Sequence, residues 1–134
     1  MIPKIHSSLK VLLVSDLEMS MMFYKDVMGC EVTEWWAIRD GFSGLGIKLI
    51  QADTTGEVRP NRISTENNSP VPDIYCYVEN WYVLDELYKE LKSKGAKVVI
   101  EPWIDQGGRP WKEFAIVDPD NYCIAFGGTN SQAG

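Results

Sequence analysis

Of the chain's 134 residues, 45% are hydrophobic and 24% charged, the composition of one globular domain or of two small halves fused together, which excludes a disordered chain and a fibre. Thirteen basic against nineteen acidic side chains leave a net charge of −6, and no basic cluster is present. The counterion release that drives phosphate-backbone binding therefore has no source, and nucleic acid is not an expected partner.

The longest apolar runs fall short of a membrane span, and Met1-Ile2-Pro3-Lys4 lacks the layout of a secretory signal. Cys30, Cys76 and Cys123 are odd in number and include no CxxC pair, which argues against a disulfide framework or a cysteine-based zinc site. These features predict a cytoplasmic protein with no membrane partner. One histidine, His6, cannot supply a site that needs two or three imidazoles.

Residues 9–14 read as a buried strand. Ser15 and Glu18 have the S-x-x-E spacing of a capping box, and Leu17, Met21, Tyr24 and Met28 then recur at helical spacing up to Gly29. Two strands are predicted over 31–38 and 42–51, with Asp40-Gly41 as the turn between them. The polar stretch from Asp53 to Ser69 has no periodicity and reads as a long loop, either a linker or a lid. Asp73 to Val78 is a strand in which Tyr75 and Tyr77 alternate. Leu84, Leu87, Tyr88 and Leu91 mark a second amphipathic helix ended by Gly95, and three short strands follow over 97–103, 112–117 and 122–127.

The two halves share one order of elements. An offset of 64 residues superposes Val14 on Val78 and Phe23-Tyr24-Lys25-Asp26 on Leu87-Tyr88-Lys89-Glu90, which predicts an internal βαβββ duplication. The fold class is α+β, with module one at 8–52, a loop at 53–71 and module two at 72–128. Each module curls a small sheet whose open face needs covering, and the cleft so formed is the default site.

Val14-Ser15-Asp16-Leu17, Phe23-Tyr24-Lys25-Asp26 and Met28-Gly29 resemble the opening of the glyoxalase, bleomycin-resistance and extradiol-dioxygenase superfamily, whose members chelate vicinal oxygens. Phe114-Ala115-Ile116-Val117-Asp118-Pro119-Asp120-Asn121 resembles its closing strand and turn, with Asn121 in place of a glycine. Pro110-Trp111-Lys112-Glu113-Phe114 is similar to that strand in the bleomycin-resistance branch. The resemblance runs from about Leu9 to Phe126 and implies paired βαβββ modules, a curved mixed sheet with a cup-shaped cleft, and a homodimer.

In the superfamily's metal-dependent enzymes the cleft holds a divalent ion on three or four His, Glu or Gln side chains. Carried over by register, the resemblance puts those positions at Leu9, Asp73 and Ala125. Leu9 and Ala125 have no donor atom, so no metal and no other cofactor is expected. His6 lies three residues before Leu9 and would point to the opposite strand face. A relocated site using His6, Asp73, Glu101 or Glu113 is the alternative, and would make the chain a glyoxalase-like lyase or a dioxygenase.

Five tryptophans and six tyrosines give the chain rigid walls for a flat ligand. Trp35 and Trp36 are adjacent, so one faces in and the other out of a strand; Trp103 and Trp111 each follow a proline. Tyr75 and Tyr77 share a face with Asp73. A carboxylate among aromatic rings, Asp73 or Glu113, selects a positive or amine-bearing group. The reading is a metal-independent binder of the bleomycin-resistance type that sequesters a small aromatic, cationic compound. Trp35, Trp36, Tyr75, Trp103 and Trp111 are its expected stacking residues, Asp73 and Glu113 its expected charge partners, and no residue is assigned a catalytic role. A third possibility is a metal-free enzyme with Asp73 or Glu113 as general base.

Overall fold

A computed structural model of the chain describes residues 2–34, 36–41, 43–62, 69–105, 107 and 110–130. The chain divides into two compact units, Met1–Arg59 and Pro60–Gly134, with the boundary inside the stretch read as a loop. Among the described residues no helix is long and apolar enough to cross a membrane.

The first unit runs β1 (Lys10–Val14), α1 (Leu17–Asp26), β2 (Glu31–Val32), β3 (Trp36–Arg39) and β4 (Leu45–Gln51). Its sheet has the order β1-β4-β3-β2, with β1 parallel to β4 and the other pairs antiparallel. Alternation along β1 buries Leu12 and Val14 on the side covered by α1, where Tyr24 and Met28 are also buried. The helix begins one residue later than the capping-box reading requires. Asp16 is its N-cap, and the Asp16 carboxylate accepts from Met19 N at 3.0 Å. The stretch 31–38 is likewise two strands rather than one. Thr33 N donates to Trp36 O at 2.9 Å, closing a small hairpin between β2 and β3. The turn at Asp40-Gly41 forms as expected, both residues having positive φ.

The second unit repeats the plan with β5 (Ile74–Tyr77), α2 (Trp81–Ser93), β6 (Lys97–Asp105), β7 (Trp111–Val117) and β8 (Cys123–Thr129) in the sheet order β5-β8-β7-β6. The offset of 64 residues holds for the helix starts, since Leu17 maps to Trp81 and the N-cap Asp16 to the N-cap Asn80. One face of this sheet packs on α2. Leu84 and Leu91 are buried there, and the Tyr88 ring meets Phe114, which stacks on Phe126. Each half is therefore an α+β βαβββ module with its own mixed sheet.

Candidate functional site

Residues next to Phe114 and Phe126 in their strands point the other way, away from α2. Pairing sets who meets whom on that face. Tyr75 lies opposite Ala125, Glu113 opposite Gly127, and Ala115 opposite Ala125 on its other side. Small side chains at 115, 125 and 127 keep the middle of the sheet low, and larger ones rise around it. The result is a cavity of about 430 Å³ lined by Ser69, Pro70, Pro72, Ile100, Glu101, Trp103, Glu113 and Ala125.

Strand β6 supplies its wall through an irregularity. Ile100 pairs with Ala115 and Trp103 with Glu113, so three steps on β6 match two on β7. That β-bulge puts Ile100 and Trp103 on one face, where strict alternation would separate them. Pro102 lies within it and is tolerated because β6 is the edge of the sheet.

Glu113 at the cavity wall ends a chain of three side chains, whose other two members, Tyr75 and Trp111, lie on the same sheet face but are not among the residues lining the cavity. Trp111 Nε1 donates to the Tyr75 hydroxyl at 2.7 Å, and that hydroxyl donates to Glu113 Oε1 at 2.8 Å. Tyr77 closes the cluster, its ring centroid 5.2 Å from Tyr75 and 5.9 Å from Trp111. Burial, against the Trp111 hydrogen bond and with the nearby Glu113 charge, pushes the Tyr75 phenol above its ordinary range, so it keeps its proton and stays a donor. Gly127 makes the arrangement possible. A Cβ there would lie 2.5 Å from Trp111 Nε1 and closer still to the Tyr75 hydroxyl.

Of the residues named from sequence, Tyr75, Trp103, Trp111 and Glu113 come together on this face of the second unit. Trp36 lies in β3 of the first unit and is half-buried; it is not among the residues lining this cavity. Trp35 falls outside the described residues. Asp73 is engaged elsewhere, its Oδ1 accepting from Asn61 N at 2.7 Å and its Oδ2 from Cys123 N at 2.8 Å. Its charge is spent on two backbone donors, joining Asn61 to β8, and it does not line the cavity. Glu101 accepts from the Tyr88 hydroxyl at 2.6 Å, which ties its Oε2 to α2. Ile100 and Gly127 were missed as parts of a site, and Ala125 was placed there only as a metal-ligand position without a donor atom. The pair Gly127-Gly128 inside a strand was the available signal, since a strand glycine marks a close approach.

The donor set does not fit the superfamily's divalent ion. Leu9 and Ala125 offer only hydrocarbon, and Asp73 is held by backbone N–H groups. His6 is exposed ahead of β1. Among the described residues no group of three or more His, Cys, Asp or Glu side chains is placed to hold a metal.

No curated protein matches the chain. Solved structures do. A glyoxalase/bleomycin resistance protein/dioxygenase from Alicyclobacillus acidocaldarius superposes with a TM-score of 0.69 at 18% identity, over 93% of this chain and 92% of that one. A virulence protein from Salmonella typhimurium gives 0.61 at 24%, over 96% and 99%. A fosfomycin resistance protein from Listeria monocytogenes gives 0.63 at 18%, over 97% and 96%. At these identities the likeness is one of fold. The sequence profile of one family matches residues 6–126, and by that match the chain belongs to the glyoxalase/bleomycin resistance protein/dioxygenase superfamily.

Proposed function

We propose that the chain is a metal-independent small-molecule binder of the bleomycin-resistance type. It takes an aromatic, positively charged compound into the second unit and returns it unchanged. The observation that carries this reading is the Glu113 carboxylate at a cavity walled by Trp103, Ile100 and Ala125, with Glu101 as a second carboxylate and no basic side chain among the described residues that line it. A carboxylate beside apolar walls favours a cation that replaces its lost water. The rings of Trp103 and of the Tyr75–Trp111 pair offer stacking faces beside it.

Tryptophan fluorescence tests this with 2-naphthylmethylammonium, its neutral alcohol and 2-naphthoate. The ammonium should quench saturably, the alcohol about tenfold more weakly, and the anion not at all. Glu113→Gln should erase the difference between ammonium and alcohol. Equal binding of all three, or a chemically altered probe after incubation, overturns the reading. The homodimer that the resemblance implies is part of the proposal, and sedimentation equilibrium at micromolar concentration decides it.

A further inference from the structure

The Trp111–Tyr75–Glu113 chain can run in only one direction. An indole N–H donates and cannot accept, whereas an ionised carboxylate accepts and cannot donate. The Tyr75 hydroxyl is thus committed twice, its oxygen to Trp111 and its proton to Glu113 Oε1. Successive bonds of this kind polarise one another, which strengthens the second. Among the described residues the other carboxylate oxygen, Oε2, has no partner. Gly127 leaves the room in which the three groups meet.

Resting on the binding reading above, we propose that this relay gives the site its ligand class: an aromatic ammonium that keeps at least one N–H, in preference to a quaternary cation of the same charge. The argument is geometric. A carboxylate held at Oε1 by Tyr75 cannot rotate freely, so Oε2 presents its lone pairs along fixed directions. A quaternary cation meets the charge but not the lone pairs. An N–H donor meets both, and does so without first ordering the acceptor. Tyr75 is therefore a positioning residue that acts through Glu113, and Gly127 is the residue that lets it.

The test compares 2-naphthylmethylammonium with its N,N,N-trimethyl derivative by tryptophan fluorescence quenching. The ratio of their dissociation constants is the readout, because a merely structural defect weakens both probes alike. The ammonium should bind about tenfold more tightly to the unaltered chain, the worth of a hydrogen bond to a charged group. Tyr75→Phe should cut that ratio at least threefold. Gly127→Ala, which crowds the relay while keeping all three of its groups, should do the same and serves if Tyr75→Phe fails to fold. A ratio near one in the unaltered chain, or one unmoved in whichever variant folds, overturns the inference and leaves the binding reading standing. Saturable quenching by neither cation overturns both.

Discussion

Asp73 shows how far the context of a single carboxylate decides its work. Its two oxygens accept from Asn61 N and Cys123 N, while Asn61 Nδ2 donates to Pro72 O at 3.0 Å, so one side chain ties Asn61 to β8. Pro70 and Pro72, just before Asp73, lie at the cavity wall. Asp73→Ala should lower unfolding free energy by about 3 kcal/mol, since two charge-assisted bonds go and the backbone donors lose their acceptor. The ammonium preference of the folded variant should persist, and loss of that preference with stability intact would assign Asp73 to the ligand instead. Ser20 presents the opposite case. It is buried in α1, and its hydroxyl has no hydrogen-bond partner among the described residues. Ser20→Ala removes an unsatisfied polar atom and improves helix propensity, so a gain of about 1 kcal/mol in urea unfolding is expected. Cys123 gives a pH dependence. Burial, and secondly the Asp73 charge, pushes its thiol from an ordinary value near 9 up to about 11. The folded state then holds a proton that the unfolded state releases above pH 9. Stability should fall as pH rises from about 9 to about 11, a slope that Cys123→Ala should flatten.

At the scale of elements, both helices begin on a side-chain cap. The Asp16 carboxylate accepts from Met19 N at 3.0 Å and the Asn80 amide oxygen from Val83 N at 2.9 Å. Asp16→Ala and Asn80→Ala should each cost about 1 kcal/mol, measured by thermal unfolding followed in the far ultraviolet. Helices were legible because apolar spacing and closing glycines are local signals, and Gly95 indeed takes a positive φ at the end of α2. The cap of α1 was misplaced because Ser15 and Asp16 are adjacent and both suit the position; the side-chain bond decides, and it comes from Asp16. Strand β6 was harder. Alternation alone sends Ile100 and Trp103 to opposite faces, and only the irregularity between them in the pairing with β7 brings them to the same cavity. A bulge depends on the register of the partner strand, which no local pattern in 97–103 encodes.

For the whole molecule, the duplication was readable because both halves must solve the same problem of covering a small sheet with one helix. Within the second unit, spacing of two residues also showed that Tyr75 and Tyr77 share a face. What spacing could not show is the pairing of strands far apart in sequence. Tyr75 meets Glu113 and Trp111 across 38 and 36 residues, through the shared neighbour β8. The same pairing bears on metal binding, because a metal site needs donors converging from several strands, and among the described residues this cavity offers hydrocarbon, a ring and two carboxylates, Glu101 and Glu113, of which Glu101 is held by Tyr88. Dialysis against Zn²⁺, Mn²⁺, Fe²⁺ and Ni²⁺ should therefore leave the chain with near-zero metal, and a chelator should leave its melting temperature unchanged. A ligand that binds only the folded state must raise that temperature, by about 2.7 kcal/mol of added stability at one hundred times its dissociation constant. The naphthylammonium probe should produce such a rise at saturating concentration, with chelator present or absent. Close to one tightly held ion per chain, with a melting temperature that drops on chelation, would show that donors outside the mapped positions converge after all, and would return the chain to the metal-dependent side of its superfamily.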